Sequence, residues 1–226
     1  MKSTIAGNYL SDKFASFICE KNYIPSLPCQ IRSKAPVKDN EPADVVLHEL
    51  SGMTESFKRF QRQFIIDDFK ESSIFVSETS SNVNDNAKGM KSFEFADGFN
   101  FNFQVCSLSE NLFTSVDDNS LGISDLIHKC ISNCDVDLRP QLIGNIVICG
   151  GGALIPGLVD RLSVELSKQY SPNKLKFSML GSSYEKKFTS WIGGSILSSL
   201  GTFQQMWITK KDFDENGASL ISTKFL

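Results

Sequence analysis

Residues 145–166 read NIVICGGGALIPGLVDRLSVEL, and the fold turns on this stretch. Ile146, Val147 and Ile148 form a short continuous apolar run, the pattern of a buried strand. Gly150, Gly151 and Gly152 follow at once. Leu158, Val159, Leu162 and Leu166 then recur at helical spacing. Strand, glycine turn and helix, in that order, aim backbone N–H groups and a helix N-terminus at a ligand. Glycine lets that ligand approach the backbone closely. The stretch alone does not name the ligand. It lacks the Gly-Lys-Ser/Thr ending of a phosphate-binding loop. Ile155 stands where a dinucleotide fingerprint has its third glycine, and no acidic residue follows about twenty positions on. A tight turn that merely packs a helix on a sheet fits the same residues.

Downstream, KLKFSML (174–180) reads as a second strand. In SWIGGSILSSLGTFQQMW (190–207), Ile192, Ile196, Leu200, Phe203 and Trp207 share a helical face, with Gly201 breaking the helix in two. Gly193 and Gly194 would each cost about 1 kcal/mol relative to Ala inside a helix. The pair therefore suggests close backbone packing or a ligand. Upstream, 121–134 reads as a helix. Before it, SFEFADGFNFNF (92–103) spells a hairpin. Phe93 and Phe95 alternate with polar residues, Asp97-Gly98 supplies the positive φ angles of a tight turn, and Phe99, Phe101 and Phe103 alternate on the return. The Phe stripe is expected to be core rather than a base-stacking platform, because it lacks interleaved basic residues. Residues 55–76 read as a helix with Phe57, Phe60, Phe64, Ile65 and Phe69 on a buried side. The polar stretch 76–89 reads as a loop. The segment holding Pro25, Pro28, Pro36 and Pro42 reads as irregular connection. Residues 9–21 form an amphipathic helix through Leu10, Phe14, Phe17 and Ile18.

The 226 residues imply one large domain or two small ones, and 41% hydrophobic with 22% charged residues is a globular composition. Lys plus Arg is 23 against 26 for Asp plus Glu, a net charge of −3 that speaks against a dedicated nucleic-acid binder. Two His leave little material for a metal site or a His-dependent triad. Cys19, Cys29, Cys106, Cys130, Cys134 and Cys149 contain no CxxC pair, so no metal is expected. They are expected to be small buried hydrophobes in a reducing compartment. The N-terminus has no apolar core of signal-peptide type, and no apolar run reaches about 18 residues, so an intracellular soluble chain is expected.

GGGALIPGLVDRL (150–162), followed by EKKFTSWIGGSILSSLGTFQQMWITKKDFDENG (185–217), resembles the C-terminal part of actin and the actin-related proteins. CDVDLRPQL (134–142) fits the same pattern, and the likeness continues more weakly back to Ile5-Ala6-Gly7. Arg139-Pro140, Leu200-Gly201-Thr202, the loop at 76–90, the hairpin and FIIDDFKESSIFVSE (64–78) depart from conventional actin. They resemble the nuclear actin-related protein 4 class. The resemblance implies an α/β fold, the C-terminal half of the actin, Hsp70 and sugar-kinase (ribonuclease H-like) ATPase fold. It implies a strand end at 1–6, a helical unit at 7–116 with the Phe-rich hairpin, an α/β unit at 117–188 with the glycine turn, and a helical C-terminal part at 189–226.

The same resemblance implies a nucleotide wall at Gly7, Lys70, Glu71, Gly150, Gly151, Ile155 and Lys187, with Gly7 near the ribose. Ile155 replaces an aromatic of conventional actin, which weakens stacking on adenine. ATP is the implied cofactor of a full-length protein. The phosphate hairpins and the magnesium-positioning carboxylates belong to a half that family members carry before the Ile5-Ala6-Gly7 region, so no enzymatic activity is expected of this chain. A partner groove is implied at Ile192, Ile196, Leu197, Leu200, Thr202 and Met206, with Ile196 partly internal. Its partner would be an amphipathic helicase/SANT-associated helix of a remodeller scaffold, shared with nuclear actin. Histones are a further candidate partner, while membranes and strong direct nucleic-acid binding are not implied. The expected role is a non-catalytic subunit of nuclear chromatin-remodelling and histone-acetyltransferase complexes, in transcription regulation and DNA repair. The alternatives are an actin-like ATP-binding cytoskeletal protein or a truncated inactive fragment of either.

Overall fold

The computed structural model describes residues 1–36, 38, 41, 44–79, 90–104, 106–117, 120–179 and 181–224, without the side chains of 90, 102–104, 106, 107 and 173. Phe103's side chain, Pro42 and most of the expected loop, from 80 to 89, lie outside the described residues. No strand forms over 1–6, contrary to expectation; that stretch is irregular up to the first helix.

Helix α1 (Gly7–Glu20) buries Leu10, Phe14 and Ile18, spaced four apart on one face. Helix α2 (Glu55–Ser73) packs along it. Thr54 caps α2, its hydroxyl accepting from the Phe57 N–H at 3.2 Å. The buried side of α2 is Ile65, Ile66, Phe69 and Ser73. Phe57, Phe60 and Phe64, expected on that side, are 43%, 64% and 65% exposed. At ~100° per residue the three rings lie roughly 160° around the helix from the buried side. The helix carries two apolar stripes, and only one of them meets α1 and the hairpin.

The Pro-rich segment is not wholly irregular. β1 (Ile31–Lys34) pairs antiparallel with β2 (Val45–Leu47). The β1 residues fall between Pro28 and Pro36, so their N–H groups are free to join a ladder.

Strands β3 (Met90–Glu94) and β4 (Asn100–Gln104) form the expected hairpin, with Phe93 opposite Phe101. Its turn differs from a two-residue Asp-Gly turn. Phe95 N donates to Phe99 O and Gly98 N to Phe95 O, both at 2.9 Å, which leaves a three-residue connection at 96–98. Gly98 takes a positive φ of 90°; Asp97 does not. Instead Asp97 is buried, at 1% exposure, and accepts from the Tyr23 hydroxyl at 2.6 Å and the Phe99 N–H at 3.1 Å. Burial, reinforced by Asp97, pushes the Tyr23 phenol far above its usual pKa. This ties the hairpin tip to the chain leaving α1. Phe95 and Phe101 are buried, and the Phe69 ring lies 4.9 Å from Phe93 and 5.5 Å from Phe95. The Phe stripe is core.

After α3 (Cys106–Ser109) come α4 (Ile123–Ser132) and α5 (Arg139–Ile143). β5 (Ile146–Val147) then pairs parallel with β6 (Phe177–Ser178), with α6 (Leu158–Ser167) between them in sequence. The expected burial of the 146–148 run is only partial, since Val147 is 59% exposed. A sheet of two strands leaves an open edge and an uncovered face.

The core crosses the expected boundary at 116. Leu158 and Leu162 of α6 belong to one cluster with Leu10, Phe14, Phe69, Phe95 and Phe101. Arg161, only 2% exposed, reinforces that junction. Its two terminal nitrogens donate to Glu110 Oε1 and Oε2, each at 2.8 Å, and its Nε donates to Glu165 at 2.9 Å. The guanidinium also lies 4.7 Å from the Phe113 ring centre.

Helix α7 (Ser183–Ser199) starts well before residue 190. Ser182 and Glu185 form a reciprocal cap, with Glu185 N donating to Ser182 Oγ and Ser182 N donating to Glu185 Oε2, both at 3.1 Å. The helix kinks at Phe188 and ends before Leu200, whose ψ of 136° is extended. A 3₁₀ segment (Gly201–Met206), α8 (Lys210–Asn216) and α9 (Ser219–Lys224) follow. The expected common face from Ile192 to Trp207 is therefore broken at Leu200. No α7 residue is buried, and Ile196, expected to be partly internal, is 59% exposed. Nothing lies within 4 Å of a Cβ built on Gly193 or Gly194, so neither glycine is required by close packing here. The cysteines also differ from expectation: Cys19, Cys29 and Cys149 are exposed, and Cys130 and Cys134 half-buried. Among the described residues, no helix is long and apolar enough to cross a membrane.

Candidate functional site

A cleft of about 260 Å³ opens between the start of α1, the C-terminal turns of α2, the glycine turn and α7. Gly7, Lys70, Glu71, Gly151, Ile155 and Lys187, six of the seven residues singled out in the sequence, line it. They converge from positions up to 180 residues apart, 187 − 7. Gly150 is not in the wall. It stands just outside, at φ 91°, and its N–H donates to Lys186 O at 2.8 Å. That bond draws α7 onto the glycine turn and delivers Lys187 to the rim.

The turn itself is a 3₁₀ segment (Gly151–Leu154), closed by Ala153 N to Gly150 O at 3.1 Å and Ile155 N to Gly152 O at 3.2 Å. A second stitch joins its exit to the chain leaving α2, where Val76 N donates to Pro156 O at 2.9 Å. No atom lies within 4 Å of a Cβ built on Gly151 or Gly152, so their backbone is open to a ligand.

Lys70 does not extend freely into the cleft. Its Nζ lies 2.7 Å from Ser11 Oγ, 2.8 Å from Asp67 Oδ1 and 3.4 Å from Gly7 O. Ser11 Oγ is in turn 2.6 Å from Asp67 Oδ1. Partial burial works to raise the Asp67 carboxyl, but hydrogen bonds from Lys70, Ser11 and Gln63 outweigh it and hold the group below the usual Asp range. The network pins α2 to the start of α1, and it leaves the Lys70 stem, not the ammonium, as the surface a ligand would meet. Glu71, the next residue, has an exposed carboxylate that can accept from sugar hydroxyls.

Sequence reasoning missed Leu10, Ile74, Gly152, Leu154 and Pro156, which complete the apolar lining. Leu10 and Ile74 could have been found by helical spacing, being three and four residues on from Gly7 and Lys70. The cleft lies just under the range of about 300–1,000 Å³ usual for small-molecule sites. It suits a base and sugar held by an aliphatic wall, a glycine floor and one carboxylate. ATP therefore fits in part: these residues would hold its adenosine end.

The residues assigned to a partner groove lie together on the tail. Ile196, Leu197, Leu200 and Met206 are 59%, 50%, 49% and 46% exposed, with Thr202 also exposed and Ile192 half-buried.

The glycine turn against α7, the α1–α2 cleft and the parallel β5–β6 pair define an actin-type α/β unit, and the actin family model matches residues 1–226. The chain belongs to the actin family. It is similar to actin-related protein 4 of Schizosaccharomyces pombe, at 32% identity over 96% of this chain and 57% of that protein. The Yarrowia lipolytica actin-related protein 4 is 31% identical over 99% of this chain and 54% of its own length. Over 43% of this chain, identity to the Candida glabrata actin-related protein 4 reaches 52%. The chain spans about half the length of these relatives over its best full-length matches.

Proposed function

We propose that the protein is a non-catalytic actin-related subunit of nuclear chromatin-remodelling and histone-acetyltransferase complexes, acting as an interaction module in transcription regulation and DNA repair. The observation that carries this reading is the set of four exposed apolar side chains on the tail, Ile196, Leu197, Leu200 and Met206. An amphipathic helix docks on such a surface by burying a few anchors. The partner is the helicase/SANT-associated helix of a remodeller scaffold, with nuclear actin as its neighbour on that helix and histones as a further contact. The similarity to actin-related protein 4 supports the assignment.

The cleft serves ATP as a structural ligand of a full-length protein, with Glu71 on the ribose and Gly151 beneath the base. Bound ATP would add a triphosphate whose charge needs donors and a metal site from elsewhere in an actin-type body. Titration of the 226-residue chain with Mg-ATP should show no turnover and binding weaker than micromolar. Immobilised scaffold helix should capture the chain and lose it on Leu200→Asp with Met206→Asp, while the melt stays unchanged. Undiminished capture would remove these four residues from the argument; phosphate release would overturn the non-catalytic reading, and micromolar nucleotide binding would overturn the weak affinity expected of this chain.

A further inference from the structure

The second apolar stripe of α2 has no place in the cleft or on the tail. Phe57, Phe60 and Phe64 fall at i, i+3 and i+7, the spacing at which one helix anchors to another. Among the described residues none of the three rings has an aromatic neighbour, and all are exposed. On the same line of the helix, four and seven residues beyond Phe64, stand Asp68 and Glu71. Both are exposed, and neither carboxylate has an ion-pair partner among the described residues. The cations of this helix lie elsewhere. Lys58 is bound to Glu55 at 2.7 Å, and Arg59 and Arg62 sit roughly 130–170° around the helix from the rings.

We propose that this stripe docks a basic amphipathic helix of another protein, with apolar side chains seated among the three rings and Lys or Arg over Asp68 and Glu71. The charge order selects this occupant. Phosphates of a nucleic acid or of an anionic lipid surface would meet two carboxylates in line with the rings. A second copy of the chain is disfavoured because its own stripe offers rings and carboxylates and no cation to place over Asp68 and Glu71. From Phe57 to Glu71 the stripe runs about 21 Å, which matches four turns of a partner helix. Because Glu71 also lines the cleft, the partner's basic end reaches its rim.

The test is fluorescence anisotropy on the full 226-residue chain, with a labelled helical peptide of about 18 residues carrying Leu at i, i+3 and i+7 and Lys at one end. The controls are the same peptide with Glu in place of Lys, oligo-dT, and phosphatidylserine vesicles. The Lys peptide should bind at least tenfold more tightly than the Glu peptide. Phe60→Ser with Phe64→Ser should weaken binding at least tenfold without moving the melt, as both rings are exposed. Asp68→Lys, remote from the core, leaves a net-neutral pair with Glu71 and should abolish the preference between the peptides, and it decides the matter if the Phe variant proves unstable. Equal binding of the two peptides by the parent chain, an unchanged preference in Asp68→Lys, or capture of oligo-dT or vesicles through the same rings would overturn the proposal.

Discussion

Gly151 and Gly157 stand in one turn and answer to different demands. A Cβ on Gly157 would lie 2.2 Å from Val76 O, on a backbone whose φ is 80°. Gly157→Ala should therefore cost about 2–3 kcal/mol, from left-handed strain and the displaced Val76–Pro156 stitch, read as a shift in urea midpoint. Gly151→Ala meets no atom within 4 Å. It should leave stability within about 0.5 kcal/mol while placing a methyl in the cleft, so any nucleoside affinity should fall. Asp67 governs the pH response of the same site. Its folded pKa is depressed, so its contribution is present above the unfolded value of about 3.9 and is lost as pH falls through the folded one. The side chain is more than a third exposed, which limits the effect to roughly 0.5–1 kcal/mol. Asp67→Asn should lower the melting point at pH 7, and the difference from the parent chain should vanish once the pH is low enough to protonate the carboxyl in the folded chain. A deficit persisting at that pH would mean that packing, not charge, is what Asp67 supplies.

Helix α7 shows what a start signal is worth. Ser182 and Glu185 spell a capping box in the sequence, yet the apolar residues from Trp191 onward drew the helix to a later start. The first turn is set by orphan N–H groups seeking acceptors, not by burial. With no neighbour at Gly193 or Gly194, replacing either by Ala should stabilise the chain by about 1 kcal/mol, measured by thermal melts. No gain would show that these positions are packed after all. Helix α6 presents the opposite case, because its central Arg161 is buried and held by two carboxylates. Glu110→Ala should cost about 3 kcal/mol, since it strands a buried cation from its bidentate partner. Helix α2 shows where periodicity stops being informative. Its two Phe-bearing stripes each satisfy a helical repeat, and only the packing of α1 and the hairpin selects Ile65, Ile66 and Phe69 as the inner one.

Across the molecule, burial is concentrated where α1, α2, the hairpin and α6 meet, and it fades along the tail. Ile196→Asp, which the sequence pattern would make disruptive, should leave the melt unchanged because the side chain is already 59% exposed. A large drop would place that side chain in the core. Much of the order of elements was legible without coordinates, although the β1–β2 pair was not and the strand expected at 1–6 did not form. Alternation of Phe in 93–101, helical spacing in 10–18 and 158–166, and glycines between strand and helix each express a local backbone preference, and each formed. The cleft residues were legible through family resemblance, because their chemistry is tied to motifs that survive at about 30% identity, as in the 32% match to the fission yeast relative. Only the tertiary structure decided which face of α2 is inside, that Val147 and Ile196 are open, that Lys70 is turned onto Asp67 and Ser11, and that Leu158 and Leu162 join the core of the first hundred residues. The physical reason is the range of the forces involved. Hydrogen bonds within a turn or helix are specified by residues a few positions apart, whereas burial is a property of the surface that another element covers, and a sequence pattern carries no record of which of two apolar faces that element will choose.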